Sequence, residues 1–248
     1  SKFTLGIGKF ILTHSTDLII AVSKSLKKDI KRKYPRTSVV QINNAVEIIE
    51  ETNVINNRSV RGDLGVPQDA LWIAMAARLV PVKNIEMLIQ AAVLLREKTN
   101  MNFRVSIFGD GPLKNDLMEK IKKNRLDNIV FMHGHVDDIL PIMKAWDAFV
   151  LTSLSEGLPM SLIEAMSVGI IPVCTKVGGI QEVINDRENG FLVEPGDPTD
   201  LTEKLLFLYR YDESAKQEMK RKAKEKILNE YSIKQSVQKL MALYDTIE

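Results

Sequence analysis

The stretch Thr152–Gly169, TSLSEGLPMSLIEAMSVG, decides the fold predicted for this chain. It begins where a largely apolar run, Asp147–Leu151, ends, and such a run is typical of a buried β-strand. Pro159 opens the helix that we predict over Met160–Val168, because proline is well tolerated in the first turn of a helix. The stretch is therefore a strand-to-helix connection, with a loop of small and polar residues between the two elements.

The same alternation of strand and helix patterns continues on both sides of this stretch. Further strands are predicted over Leu71–Ala76, Phe103–Phe108, Ile129–Met132, Ile170–Cys174 and Phe191–Val193. Helices are predicted over Asn84–Lys98, Leu113–Lys123, Asp137–Ala145 and Ile180–Ile184. This pattern predicts an α/β fold in which a parallel sheet has helices on both faces. Ligands of such sheets bind beyond the carboxyl ends of the strands, so we expect function in the strand-to-helix loops.

Two glutamates of the quoted stretch are candidates for binding a ligand. Glu156 lies in the loop, and Glu164 lies more than one turn into the helix. The loop and the free N–H groups at the helix start form an anion site that fits a diphosphate. A loop carboxylate can accept hydrogen bonds from sugar hydroxyls, and a helix carboxylate beside the phosphates can accept them from a ribose. The alternative is that both are structural, one exposed in a loop and one capping a helix.

A pair of basic residues follows the first strand of the alternating region. Arg78 and Lys83 lie in the segment Ala77–Asn84, ARLVPVKN. The forked guanidinium and the mobile ammonium suit a pyrophosphate at the carboxyl end of a strand. The same charges would stabilise the nucleotide as it leaves. Taken alone, two basic loop residues are more often solvated surface.

Two glycine-containing segments follow other strands. Gly109–Pro112, GDGP, predicts a tight turn, and Lys114 stands where a dinucleotide-binding fingerprint requires its third glycine. We therefore assign the glycines of this turn a structural role. The paired glycines of Val177–Glu182 would let the backbone approach a ligand closely, or would simply form the turn before a short helix.

Composition limits the class of protein. The 248 residues suit one large α/β domain, or one domain with part of another, and 34 Lys and Arg against 32 Asp and Glu give a net charge of +2 that does not point to nucleic acid. One cysteine, Cys174, is typical of a reducing, cytosolic setting. No apolar run reaches the roughly 18 residues of a membrane span. Of the three histidines, which are His14, His133 and His135, the last two lie at the end of a strand pattern and are expected to be polar loop residues, not metal ligands.

The quoted stretch resembles the Glu-x7-Glu signature of retaining glycosyltransferases of family four, which have the GT-B fold of two facing Rossmann-like domains. The similarity extends from about Thr16 to about Tyr209. It implies that Glu156 faces the donor sugar and that Glu164 binds the ribose. The loop residues between them are expected to contact the donor: Gly157, Leu158 and Pro159.

The resemblance also assigns roles outside the signature. In this family a corresponding arginine and lysine hold the donor diphosphate, which implies that role for Arg78 and Lys83. The main chain after the third strand meets the nucleobase, and Val136 resembles that position. With Glu156, the two basic residues form the expected catalytic set.

By this resemblance the chain divides into four parts. Residues 1–46 are expected to be the last elements of an N-terminal acceptor domain, 47–69 a polar and irregular connector, 70–210 the Rossmann-like nucleotide-sugar-binding domain, and 211–248 C-terminal helices. The first part is predicted to hold an initial helix, then strands over Asp17–Val22 and Ser38–Ile42 and a helix over Ser23–Tyr34. The last helices are predicted over Thr199–Tyr209, Ser214–Glu230 and Ile233–Ile247.

The function implied is retaining transfer of a sugar from a nucleotide-sugar to an acceptor hydroxyl, in glycan or glycolipid synthesis. UDP is favoured over GDP, no metal or other cofactor is expected, and the leaving diphosphate is expected to help deprotonate the acceptor. The chain departs from the family because most of the acceptor domain is absent, and His14 lies too near the connector to be that domain's histidine. The chain begins with Ser1, shows no signal peptide, and is expected to be part of a longer protein.

Three alternatives stay open. The chain is one half of a split enzyme, or it is a non-catalytic module that binds a nucleotide-sugar, or it is a GT-B epimerase or phosphorylase. No convincing lysine for the pyridoxal phosphate of a phosphorylase is found late in the chain.

The basic helix supports a hypothesis about location. Its cations outnumber one acidic residue, Asp29, and its apolar residues recur at every fourth position: Leu26, Ile30 and Tyr34. The cationic face would contact anionic lipid at the inner face of the membrane, close to a lipid-linked acceptor, or it would simply be solvated. The expected location is cytoplasmic, with peripheral membrane contact as the hypothesis.

Overall fold

The computed structural model describes residues 18–48 and 57–245. A small parallel sheet pairs β1 (Ile19–Ala21) with β2 (Val39–Gln41). A larger sheet has six strands: β3 (Leu71–Ala76), β4 (Phe103–Phe108), β5 (Val130–Gly134), β6 (Ala148–Leu151), β7 (Ile171–Thr175) and β8 (Phe191–Val193). Their order in space is β5-β4-β3-β6-β7-β8, and every pairing is parallel. The predicted α/β fold with a parallel sheet is confirmed.

The helices alternate with these strands. They are α1 (Lys24–Lys33), α2 (Asn57–Asp63), α3 (Ile85–Lys98), α4 (Lys114–Lys123), α5 (Leu140–Met143), α6 (Met160–Ser167), α7 (Ile180–Val183), α8 (Pro198–Arg210), α9 (Glu213–Glu230) and α10 (Ile233–Tyr244). The prediction over Asp137–Ala145 is wrong in length, because α5 is a single turn. Pro141 is tolerated in the first turn but not deeper in a helix, so the helix begins at Leu140. The initial helix predicted before residue 17 lies outside the described residues.

Alternate residues of β3 enter two different cores. Ile73 and Met75 pack with side chains of α3, α4 and α8, whereas Trp72 and Ala74 pack with side chains of α6 and α9. Successive side chains of a strand point to opposite faces, so a strand buried on both faces is apolar throughout. The helices therefore cover both faces of the large sheet, as predicted.

The strand order places the loops after β3 and β6 side by side. The chain runs from β3 outward through β4 to β5, and then returns to β6 and runs outward through β7 to β8 on the other side. Such a reversal opens a crevice at the carboxyl ends of the two central strands, where ligands of open α/β sheets bind. Arg78 and Lys83 follow β3, and Glu156 follows β6, so the topology brings both candidate loops to this crevice.

The segment 47–69 is not irregular throughout. It contains α2, whose Arg61 is buried, with Nη1 3.2 Å from the Ala145 carbonyl oxygen and 3.2 Å from Asp147 Oδ2. The guanidinium also lies over the ring of Trp72, 5.6 Å from its centroid. The prediction of an irregular segment with no clear core pattern was wrong here. Val66 is buried in the core and Val60 packs against it, but these few apolar residues stand among polar ones, and a hydropathy pattern counts the buried Arg61 as polar surface.

The two last helices differ in burial. α9 buries Met219, Ala223 and Ile227 against the core beneath α6, whereas no residue of α10 is fully buried. Within residues 18–48 and 57–245, none of the helices combines the length and the apolarity that crossing a membrane requires.

Candidate functional site

An ion pair joins the loops that follow β3 and β6. Lys83 Nζ lies 2.5 Å from Glu156 Oε1, and the exposed fractions of the two side chains are 20% and 10%. The backbone supports the same contact, because Leu154 N donates to the Val82 carbonyl at 2.8 Å. Two predicted site residues that lie 73 positions apart are thus brought together at the crevice.

Glu156 has a second partner, which the sequence analysis did not assign to the site. Ser153 Oγ donates to the same oxygen, Oε1, at 2.5 Å, and Ser153 is fully buried. No described residue binds Oε2 of Glu156. A serine three positions before a loop glutamate, at the end of a buried strand, is the signal in the sequence that could have indicated this contact.

Other buried hydroxyls tie the surrounding loops together. Thr152 Oγ1 lies 2.9 Å from the carbonyl oxygens of both Lys83 and Asn84, and Asn84 has a left-handed backbone with φ of 45°. Thr175 Oγ1 at the end of β7 donates to the Ser153 carbonyl at 2.6 Å. The loops after β3, β6 and β7 therefore form one hydrogen-bonded unit around the ion pair.

The second predicted cation is arranged differently. The side chain of Arg78 is exposed and makes no hydrogen bond or ion pair with any residue of the described ranges. It lies at the rim of a cleft of about 370 Å³. The other lining residues are mainly apolar: Ala76, Ala77, Phe108, Gly109, Asp110, His135, Val136 and Ile139. Arg78 and Val136 thus belong to one cleft, which is large enough for a ring ligand.

The turn Gly109–Pro112 packs on the loop that carries Arg78. A Cβ on Gly109 would lie 2.0 Å from the Ala77 carbonyl oxygen, and one on Gly111 would lie 2.5 Å from the Leu79 carbonyl oxygen. Only glycine permits this approach of two backbones. The two glycines serve the packing of the loops that border the cleft.

The paired glycines after β7 hold the loop of Glu156. A Cβ on Gly178 would lie 1.8 Å from the Glu156 carbonyl oxygen, and one on Gly179 would lie 2.1 Å from the Gly157 carbonyl oxygen. Gly179 N also donates to that Gly157 oxygen at 2.8 Å. The close approach that the sequence suggested is therefore an approach to the protein's own backbone.

Glu164 is half-buried in α6. Burial raises the pKa of its carboxyl above the ordinary value, and no described residue donates a hydrogen bond to that carboxylate. The helix begins after Pro159 without a side-chain cap, so its first N–H groups have no side-chain acceptor. Leu158 and Pro159 are buried and fix this helix start, while Gly157 is half-buried.

Segment 18–48 contacts the same loop from outside the large sheet. Glu182 of α7 accepts hydrogen bonds from Lys24 N at 2.9 Å and Ser25 N at 2.8 Å, which caps the start of α1. Asn44 Nδ2 donates to the Leu158 carbonyl at 2.8 Å. No local pattern indicates these contacts, because they join residues more than a hundred positions apart.

His133 and His135 differ in their surroundings, and His14 lies outside the described residues. His133 lies in β5, where it stacks on Phe108 and its Nε2 is 3.0 Å from Ser106 Oγ. Burial lowers its pKa. The expectation of a polar loop residue was therefore wrong for His133, whereas His135 is exposed. Across residues 18–48 and 57–245, no group of three or more His, Cys, Asp or Glu could hold a metal ion.

A family model described as Glycosyl transferases group 1 matches residues 56–226, which is more than half of the chain. Among curated proteins, a Staphylococcus aureus poly(ribitol-phosphate) alpha-N-acetylglucosaminyltransferase is 26% identical over 96% of this chain and 46% of its own length. An Escherichia coli UDP-Gal:alpha-D-GlcNAc-diphosphoundecaprenol alpha-1,3-galactosyltransferase is 30% identical over 82% of this chain and 53% of its own length. The chain spans about half the length of the curated relatives it matches.

Solved structures agree on the fold. A variant of S. aureus TarM, solved with Fondaparinux, alpha-GlcNAc-glycerol and UDP, superimposes with a TM-score of 0.83 at 25% identity, over 96% of this chain and 46% of TarM. Anabaena HepE with UDP and glucose gives a TM-score of 0.89 at 22% identity, over 99% of this chain and 68% of HepE. The α/β fold expected from the resemblance, part of a GT-B enzyme, is confirmed by these likenesses.

Proposed function

The chain belongs to the group 1 glycosyl transferases, and we propose that it binds a nucleotide-sugar and transfers the sugar with retention to an acceptor hydroxyl. The observation that carries this proposal is the crevice between β3 and β6. There Lys83 and Glu156 are paired, while Arg78 on the loop after β3 and Glu164 on the helix after β6 have charged groups without partners among the described residues. Two cations for a diphosphate and two carboxylates for hydroxyls are the groups that such a donor requires.

The diphosphate is assigned to the cations and to the start of α6. Arg78 is exposed and unpaired, so it can turn its guanidinium to phosphate oxygens without breaking another contact. Lys83 is fixed by Glu156, and the first N–H groups of α6 add the positive end of the helix dipole. As the bond to the sugar breaks, negative charge grows on the diphosphate, and these fixed charges stabilise it.

The ribose and the sugar are assigned to the two glutamates. Glu164 lies desolvated on α6 without a hydrogen-bond donor, and two ribose hydroxyls would supply donors. Glu156 keeps Oε2 free while Oε1 is occupied, so one oxygen can accept from a sugar hydroxyl. Gly157, Leu158 and Pro159 place the loop and the helix start on either side of the donor.

The nucleobase is assigned to the cleft that Val136 lines with Phe108 and Ile139. Its apolar walls suit the faces of a ring, and main-chain groups beside Val136 would recognise the ring edge. UDP is favoured over GDP, which is supported by the UDP present in the solved TarM and HepE structures. No side chain is assigned as catalytic base; the leaving diphosphate is proposed to assist the acceptor's deprotonation.

A thermal-shift screen against UDP, GDP, ADP and their common sugar conjugates tests the donor. A ligand that binds the folded state raises the melting temperature by mass action. We expect the largest shift with UDP or a UDP-sugar. A shift with GDP alone would overturn the UDP preference, and no shift with any nucleotide, repeated with the full-length protein, would overturn the proposed function.

The alternative is a non-catalytic module that binds a nucleotide-sugar, or one chain of a split enzyme. The chain aligns with 46% and 53% of the length of two relatives. We keep the proposed division into residues 1–46, 47–69, 70–210 and 211–248, in which the first part belongs to an acceptor domain. Transfer measured with and without a separately supplied acceptor domain distinguishes these functions. Activity restored by the second chain indicates a split enzyme, and binding without transfer in both assays indicates a module.

The acceptor and the location are proposed from the charged surface of α1 and from the names of the relatives. The cations of α1 are mostly exposed, and the one acidic residue of this helix, Asp29, is paired with Arg32 at 3.3 Å. The E. coli relative is named for a diphosphoundecaprenol acceptor, so a lipid-linked acceptor at the inner face of a membrane fits this charged surface. Flotation with anionic and neutral liposomes tests this, with Lys28→Glu and Lys31→Glu as variants. Binding to anionic vesicles that the variants lose is expected; equal partition onto both lipids would contradict it.

A further inference from the structure

We propose, resting on the function proposed above, that Ser153 is a positioning residue for the donor sugar. Its hydroxyl holds the carboxylate of Glu156 in one orientation, in which Oε1 carries Lys83 and Oε2 faces the sugar. Ser153 does not touch the donor in this proposal; it acts through Glu156.

The two contacts of Glu156 fall on the same oxygen. Ser153 Oγ and Lys83 Nζ both lie 2.5 Å from Oε1. Oε2 has no partner among the described residues, and it is not a buried unpaired atom, since only Arg61 Nε and Trp146 Nε1 are such atoms in those ranges. An accessible carboxylate oxygen beside a fixed one is a ready acceptor for a hydroxyl.

The position of the Ser153 hydroxyl is itself fixed. The residue is fully buried, and its carbonyl oxygen accepts from Thr175 Oγ1 at 2.6 Å. The two neighbouring threonines, Thr152 and Thr175, both direct their hydroxyls to backbone carbonyls. Of these three hydroxyls, that of Ser153 alone is directed to a side chain, and that side chain is charged.

Loss of this hydroxyl changes how Glu156 binds Lys83. With Lys83 as its remaining partner, the carboxylate is free to rotate and to hold the ammonium with both oxygens. The sugar would then lose its acceptor, whereas Arg78, Glu164 and the nucleobase cleft would be unchanged. The consequence is selective: recognition of the sugar falls, and recognition of the nucleotide stays.

The test compares UDP with UDP-glucose by titration calorimetry on the wild-type protein and Ser153→Ala. A hydrogen bond to a charged group corresponds to roughly tenfold in affinity or more, so we expect UDP-glucose to bind about tenfold more weakly to the variant. The affinity for UDP is expected to change little. Ser153→Cys, which retains the volume and a weak donor, should lie between the two and serves as the second variant if Ser153→Ala does not fold.

Ser106→Ala is the matched control. Ser106 is also fully buried, and its hydroxyl is likewise bonded to side chains. These are Trp72, with Nε1 at 2.9 Å, and His133, with Nε2 at 3.0 Å. Its loss should lower the melting temperature without changing the ratio of the UDP-glucose and UDP affinities. A structural role of Ser153 would give the same result as this control.

A double-mutant cycle with Glu156→Gln shows whether Ser153 acts through Glu156. We expect Ser153→Ala to add little to the loss of UDP-glucose affinity caused by Glu156→Gln. Additive effects, or an unchanged ratio of affinities in Ser153→Ala, would overturn the assignment of Ser153 while the donor site stands. A wild-type protein that binds UDP but not UDP-glucose would also overturn it. A wild-type protein that binds neither would overturn both the site and this assignment.

Discussion

The two cations and the two carboxylates of the candidate site divide into a paired half and an unpaired half. Lys83 and Glu156 bind each other, are largely buried and are held by the hydroxyls of Thr152 and Ser153 after β6 and of Thr175 at the end of β7. Arg78 is exposed and Glu164 is half-buried, and neither has a charged or hydrogen-bonding side-chain partner among the described residues. The paired half is built before a ligand arrives, and the unpaired half lacks the groups that a ligand would supply.

The difference separates stability from binding. Breaking a buried pair leaves a charge without a partner in a place from which water is excluded, so the folded state itself is affected. Removing a group that has no partner leaves the folded state intact and affects the bound state alone. Substitutions in the two halves should therefore differ in which measurement changes.

The largest effect is expected from Gly178→Ala, which forces the turn after β7 and the loop of Glu156 apart and so disturbs the paired half. The new Cβ would meet the Glu156 carbonyl oxygen at 1.8 Å, on a backbone with φ of +50°. Strain and overpacking together should lower the free energy of unfolding by about 3 kcal/mol. Chemical denaturation measures this change.

Gly196→Ala is the control for Gly178→Ala. Gly196 also has a positive φ, of +78°, but nothing lies within 4 Å of an added Cβ. It should show the backbone strain alone, roughly 1–2 kcal/mol. Equal losses in the two variants would mean that the contact between Gly178 and the Glu156 loop contributes nothing.

Lys83→Ala is expected to have the next largest effect. It leaves the Glu156 carboxylate, 10% exposed, with Ser153 as its remaining partner, and should cost about 2 kcal/mol of stability, below the range for a fully buried pair. Binding of the nucleotide should fall as well. Lys114→Ala breaks the exposed pair with Asp110 and should change stability little. A loss of stability comparable to that of Lys83→Ala would contradict the expected difference between a buried and an exposed ion pair.

Arg78→Ala sharpens the comparison from the unpaired side. Its guanidinium has no partner to lose, so the melting temperature should stay unchanged. Affinity for UDP should fall about tenfold or more, since a charge-assisted contact to phosphate is lost. Calorimetry and a thermal melt on the same sample measure both. A lower melting temperature without loss of affinity would place Arg78 in the structure and not in the site.

Substitution of Glu164 is expected to change stability least, and the size of this change should depend on pH. Because burial raises its folded pKa above the unfolded value, stability falls as pH rises from the unfolded value through the folded one. Glu164→Gln should therefore be as stable as the wild type or slightly more so at neutral pH, and the difference should vanish in acid. The binding free energy for UDP should become less favourable by roughly 1–3 kcal/mol in the variant. The same loss is expected in the wild-type protein as pH falls through the raised pKa, and a wild-type affinity that stays constant with pH would contradict this.

Much of the fold could be predicted from local patterns. β3 and β4 begin and end at the predicted residues, and α6 differs from its prediction by one residue, because apolar runs and helical spacing are properties of neighbouring residues. α5 was predicted too long because Pro141 was overlooked, and α2 was missed because it is short and mostly polar, with Arg61 as its buried residue. The site residues remain predictions, which are supported by the contact between Lys83 and Glu156 and by the cleft that Arg78 and Val136 share.

By itself, the sequence determined the alternation of strands and helices, the spacing of Glu156 and Glu164, and the family to which the chain belongs. Only the tertiary structure decided that Lys83 binds Glu156, that Ser153 joins them, and that Gly178 packs against that loop. The physical reason is the range of each interaction. Periodicity is set within a few residues, but loop contacts depend on which strands become neighbours, and β3 and β6 became neighbours across more than seventy residues of chain.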